Sequence, residues 1–157
     1  MDPADASASD GVMLAFLPTN SDWSRVDIPH MTLVYAGTVD TFSPTDLNNL
    51  AKDAASLALL ASPFYLTVRG VVKLGPDDDP VQALSFQATP DLWAMRKFVE
   101  KWNKSEFPFN PHATIGPYNA MSTYVESVPR SVYFDRLYLG YGDEGLTFNL
   151  RRGNGSY

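Results

Sequence analysis

Apolar and polar positions along the chain alternate between two periods, and the switches divide it into short elements. Val12-Met13-Leu14-Ala15-Phe16-Leu17 is a strand-like run ended by Pro18, and the ten residues after it read as a loop carrying an exposed aromatic, Trp23. His30 to Ala36 is a second strand, closed by Gly37. Ser43-Pro44-Thr45-Asp46 then has the chemistry of a helix start, with a capping hydroxyl, a proline at the first helical position and an acid at the third. Leu47, Leu50, Ala51, Ala54, Leu57, Ala58 and Ala61 follow at helical spacing as one apolar stripe, and Ser62-Pro63 ends it.

Phe64 to Leu74 is rich in β-branched and aromatic residues, with Gly70 a predicted bulge. The cluster Gly75-Pro76-Asp77-Asp78-Asp79-Pro80 turns the chain, and Val81 to Ala88 returns as the second strand of a hairpin. Thr89-Pro90-Asp91 opens a second helix with Leu92, Met95, Phe98, Val99 and Trp102 on its apolar side. Phe107 to Pro111 leads into another strand ended by Gly116-Pro117. Residues 119–127 fit a short helix or a loop, and Ser131 to Tyr141 with Leu146 to Leu150 forms a last hairpin. Each helix has a single apolar stripe, so each covers one sheet face and leaves the other free. The expected class is α+β, with helices outside and a groove on the free face.

Composition narrows this picture. At 157 residues with 45% hydrophobic positions, the chain suits one core-forming domain over 11–152, with a disordered acidic lead at 1–10 and a loose tail at 153–157. No long apolar run or signal-like start is present, which points to a cytoplasmic protein (host cytoplasm if the source is viral) with no membrane partner. The lack of cysteine excludes disulfides and thiolate metal sites. A net charge of −6 argues against a protein that tracks long nucleic acid, though not against one that holds a small nucleotide.

The candidate chemistry rests on the only two histidines. Pro29-His30-Met31-Thr32-Leu33 and Pro111-His112-Ala113-Thr114-Ile115 repeat one pattern, Pro-His-x-Thr-aliphatic, 82 positions apart. In a strand, side chains alternate faces, so each copy offers an imidazole and a hydroxyl on one side and an apolar pair on the other. One His-x-Thr fits packing as well as catalysis; two copies that use every histidine favour catalysis. Paired histidines can act as base and acid across a phosphorus, because their pKa of about 6.5 lets one ring be neutral while its twin is charged. Threonine hydroxyls on the same face would stabilise charge on the non-bridging oxygens. That scheme needs no metal or other cofactor.

Around it, Tyr118, Phe16, Trp23 and Tyr124 are candidates for stacking on a base, each with a core or loop role equally open. Tyr35 faces away from His30 and Thr32 if the strand is regular. Asp77-Asp78-Asp79 reads as a solvated hairpin tip, and Arg69, Lys73 and Arg151-Arg152 as phosphate neutralisers or ordinary surface charges.

The two motifs, His30-Met31-Thr32-Leu33 and His112-Ala113-Thr114-Ile115, resemble those of the 2H phosphoesterase superfamily, which includes the RNA ligase T-like cyclic phosphodiesterases. The resemblance spans residues 11–151. It implies a bilobal fold, two pseudo-symmetric lobes of antiparallel sheet with helices on the outer faces and a central cleft. It also implies His30 and His112 as acid and base, and Thr32 and Thr114 as phosphate ligands. Gly116-Pro117-Tyr118 stands where many RNA ligase T-like members carry an arginine. In its compact length, its acidic charge and this Gly-x-Tyr continuation the chain is similar to phage members of the superfamily, among them those that destroy cyclic oligonucleotide signals (the anti-CBASS phosphodiesterases). The implied substrate is then a cyclic oligonucleotide second messenger. A 2′,3′-cyclic nucleotide or RNA-end phosphodiesterase, or a non-catalytic nucleotide sponge, stands as the alternative.

Overall fold

The computed structural model describes residues 10–118 and 128–151, so the 119–127 segment, Tyr124 and both termini lie outside the described residues. Seven strands are present: β1 (Gly11–Pro18), β2 (Met31–Thr38), β3 (Phe64–Leu74), β4 (Val81–Phe86), β5 (His112–Pro117), β6 (Ser131–Tyr141) and β7 (Glu144–Asn149). Helix α1 spans Pro44–Leu60 and α2 spans Pro90–Val99. Every strand pairing is antiparallel, in the order β1-β2-β5-β4-β3-β6-β7, and a further β1–β6 pairing joins the two sides, with β7 on the outer edge of β6. The two halves, β2-β1-β6-β7 and β5-β4-β3, meet at two places. One is the four-residue seam between β3 and β6, and the other is the single pair Met31–Ala113 between β2 and β5.

The helices start where the capping chemistry places them. Ser43 accepts from the Asp46 amide at 3.0 Å while its own amide donates to Asp46 Oδ2 at 3.1 Å, a complete capping box. Thr89 accepts from the Leu92 amide at 3.1 Å. The α1 stripe seats Leu50, Ala54, Leu57 and Ala58 in the core. In α2 the buried residues are Leu92 and Val99, with Met95 packed against the core, whereas Phe98 stands 42% exposed. Phe98 lies six positions from Leu92, about 240° round the helix, and falls off the stripe. Beyond Val99 the chain tightens into a 3-10 turn, Glu100–Trp102, and Trp102 donates from its indole to Asp53 on α1 at 2.8 Å.

One core joins both halves to both helices. At its centre the rings of Phe16, Phe64, Phe134 and Phe86 meet edge-on or stacked at centroid distances of 4.9–5.6 Å. This corrects the expectation for Phe16: it is fully buried in the helix-side core and has no surface for a base to stack on. Phe16→Ala is accordingly expected to destabilise the fold by about 3–5 kcal/mol, the cost of emptying a packed aromatic site. Chemical denaturation measures this; a loss below about 1 kcal/mol would contradict the assignment.

Trp23 is a second correction. The loop it sits in folds back, and its ring is 8% exposed within the same core, with Nε1 donating to the Asn20 carbonyl at 3.0 Å. A large apolar ring gains about 25 cal/mol for each Å² removed from water, which outweighs the polar character of the flanking residues.

Candidate active site

The Met31–Ala113 pair sets the geometry of the site. Continuing that antiparallel register one residue each way puts His30 opposite Thr114, and Thr32 opposite His112. Cross-strand partners share a face, so all four side chains lie on one side of the ladder, related by a local two-fold axis through the pair. Met31, Leu33, Ala113 and Ile115 point the other way and are buried in the core. The apolar half of each motif anchors the strand, and the polar half is left on the free face.

The two imidazoles are held identically. His30 Nδ1 lies 2.7 Å from the Ile28 carbonyl and His112 Nδ1 2.6 Å from the Asn110 carbonyl. A carbonyl only accepts, so each Nδ1 carries a hydrogen and each Nε2 is the nitrogen left for chemistry. In both cases the accepting residue directly precedes the proline of the motif. Proline restricts that residue to extended backbone, which fixes where its carbonyl points. This is a physical reason for the proline that opens each motif.

The histidines differ in electrostatics. His30 has its pKa lowered from 6.5, first by burial, with the positive charge of His112 adding to the effect and the Ile28 bond opposing it.

Strand β2 departs from regular alternation just past its motif. Leu14 pairs with Val34 but Ala15 with Thr32, so Leu33 is an extra residue and the phase of the strand flips. Tyr35 therefore joins Met13, Ala15 and Tyr138 in a small cluster on the Thr32 side, contrary to the expectation for a regular strand. Arg96 of α2 donates from Nη1 to the carbonyl of Leu33 at 2.7 Å, and its guanidinium lies 4.7 Å from the Phe109 ring centroid.

Beside Thr32 and His112 opens a cleft of about 300 Å³, lined also by Tyr35, Arg96, Asn103, Ser105, Phe107 and Phe109. Much of its wall is the segment before the second motif, tied to β2 by the Lys104 amide on the Tyr35 carbonyl at 2.7 Å. Its polar groups largely serve each other. Asn103 and Ser105 exchange two bonds, and the Ser105 hydroxyl accepts from the Phe107 amide. What remains is an aromatic slot with one edge on Thr32 and His112.

The other stacking candidates fall elsewhere. Tyr118 lies against Lys73, whose Nζ is 4.8 Å from the ring centroid. Lys73 pairs with Gln82, whereas Ala83 pairs with Thr114, so strand alternation puts Lys73 on the side opposite the threonine. Tyr124 lies outside the described residues. Tyr35, expected on the other face, comes beside the motifs through the bulge, and Phe107 and Phe109, which the sequence did not single out, come there through an irregular loop. The Pro-Phe alternation at 107–111 was the one available signal.

Among the described residues, no group of three or more acidic or histidine side chains is placed to hold a metal ion. Likewise no described helix is long and apolar enough to cross a membrane. Two imidazoles, each held through Nδ1 by a backbone carbonyl, and two hydroxyls share one face, an arrangement chemically able to move protons beside a bound phosphate.

Comparisons with known proteins give the family and the fold. Residues 19–141 match the model of the 2′-5′ RNA ligase superfamily, and the chain belongs to that family as a phosphodiesterase of the 2H type. No match is found among curated protein sequences. Solved structures share the fold at low identity. TT0787 of Thermus thermophilus is 15% identical with a TM-score of 0.62, over 92% of this chain and 100% of that one. Usb1 of Kluyveromyces marxianus is 14% identical with a TM-score of 0.62, over 92% and 99%. LigT of E. coli in apo form is 18% identical with a TM-score of 0.59, over 90% and 95%.

Proposed function

We propose that this chain cleaves phosphodiester bonds in small nucleotides without a metal ion, using His30 as general base and His112 as general acid, and that its substrate is a cyclic oligonucleotide signal. The single observation carrying the reading is the Met31–Ala113 register, which aligns each histidine with the other motif's threonine on one face. His30 Nε2 takes a proton from water or a sugar hydroxyl as that oxygen bonds to phosphorus. His112 Nε2 gives its proton to the departing oxygen as the bond on the far side breaks. Thr32 and Thr114 donate to the non-bridging oxygens as negative charge builds on them. The depressed pKa of His30 supports its assignment as base, since it keeps that ring neutral where an ordinary histidine would be half protonated.

Small-nucleotide binding is supported by what the relatives hold: Usb1 was solved with uridine monophosphate, and LigT with 3′-AMP, with ATP and with phosphate. The aromatic slot of Tyr35, Phe107 and Phe109 suits one base next to the reacting phosphate. Evasion of CBASS-type bacterial immunity by a virus is the biological role that fits a cyclic substrate. A panel of cyclic di- and trinucleotides and 2′,3′-cyclic mononucleotides, incubated with purified protein and separated by chromatography, tests the assignment. Cleavage of the cyclic oligonucleotides is expected. Opening of the mononucleotides alone would move the function to RNA ends, and nucleotide recovered intact at one per chain would make it a sponge.

The pH dependence follows from the His30 environment. With its pKa lowered, the base stays active to lower pH, so the acidic limb of kcat/KM is expected below 6.5. A limb above 6.5 in a pH–rate profile would contradict His30 as the base.

A further inference from the structure

The face that carries the histidines extends away from the aromatic slot, beyond His30, to three side chains that the reading above leaves without a role. Phe16 pairs with Met31, so the next residue pair in register is Leu17 with His30, and Leu17 in turn pairs with Arg136 of β6. Two strand spacings put Arg136 about 10 Å from His30 on the same face. Asp135 is an extra residue in β6, because Leu17 pairs with Arg136 but Pro18 with Phe134. The next residue beyond it on the free face is Tyr133, since Phe134 points into the core. Tyr133 pairs with Tyr65 of β3, and the two rings lie 4.5 Å apart at 43°.

Tyr65 is 66% exposed, unusual for a large ring set in the middle of a sheet pairing. Arg136, on the same face, is held in place by Nε donating to Asp135 at 2.9 Å, with which it forms an ion pair, and by Nη2 donating to the Pro18 carbonyl at 2.7 Å. A guanidinium carries five donors, so these bonds orient its plane without exhausting it.

We infer that Arg136, Tyr133 and Tyr65 form a second nucleotide site, in which the tyrosine pair stacks a base and Arg136 faces the backbone leading to it. The inference rests on the phosphodiesterase reading and deepens it. With one base in the slot beside His112 and another on the tyrosines beyond His30, the scissile phosphate lies between two nucleosides. The preferred substrate then contains at least two bases and is not a mononucleotide. Stacked aromatic platforms joined by a cation are a recurring way to hold single-stranded nucleotides with little sequence preference.

The test compares kcat/KM for a dinucleoside monophosphate with that for its two counterparts in which one base or the other is replaced by hydrogen. The native enzyme is expected to favour the two-base substrate over both. Tyr65→Ala is expected to lose its advantage over one counterpart by about 5- to 100-fold, the scale of one stacked base. Tyr65→Phe, which keeps the ring, is expected to retain it. Equal losses on all three substrates, or an undiminished advantage in Tyr65→Ala, would overturn the second site while leaving the phosphodiesterase reading in place. Cleavage of cyclic oligonucleotides but of none of the three would overturn the second site alone, whereas cleavage of neither would remove the phosphodiesterase reading and this inference with it.

Discussion

His30→Ala and His112→Ala each lower kcat on a phosphodiester by about 10²–10⁴-fold, the usual contribution of a positioned general acid or base. The fold is expected to survive both changes, because each motif strand is anchored by Met31 and Leu33, or by Ala113 and Ile115, in the core on the opposite face. Far-ultraviolet circular dichroism and the thermal midpoint check this alongside turnover. The double variant is expected to fall little further than either single one, since proton uptake and proton delivery serve one transition state and groups acting as a unit are not additive. Full activity in either single variant would refute the mechanism.

Thr32→Val and Thr114→Val come next in size. Valine keeps the branched shape and the strand preference of threonine, so the change removes little beyond the hydroxyl. If the hydroxyls meet charge that develops only in the transition state, kcat falls by about 10²–10³-fold while KM changes little. A rise in KM at constant kcat would mean that they merely hold the ground state. The pseudo-two-fold register predicts losses of similar size at the two positions, because each threonine stands across from the other motif's histidine.

The part of this site that was legible in the sequence is the part made by short-range rules. Strand alternation alone sends His30 and Thr32 one way and Met31 and Leu33 the other, and the structure has that arrangement. The capping signals at Ser43 and Thr89 were equally direct, since a hydroxyl followed by proline and an acid satisfies the first amides of a helix wherever it occurs.

What escaped depended on partners distant in the chain. The flip of Tyr35 onto the Thr32 side comes from an extra residue at Leu33, which depends on how β1 pairs and which Arg96 meets from α2. Phe16 and Trp23 look like candidates for stacking because an aromatic beside a motif has no visible partner until Phe64 and the core arrive from elsewhere. The slot before His112 is built by a loop with no periodicity, and the tyrosine pair at 65 and 133 needs the β3–β6 register to exist at all.

The most direct measurement is product formation from a 3′-5′-linked dinucleotide in excess EDTA, followed by chromatography, with native protein and His112→Ala side by side. Cleavage by the native protein that persists in the chelator and disappears in His112→Ala is the expected result. Cleavage abolished by EDTA, or undiminished in His112→Ala, would contradict a metal-independent reaction carried by the paired histidines.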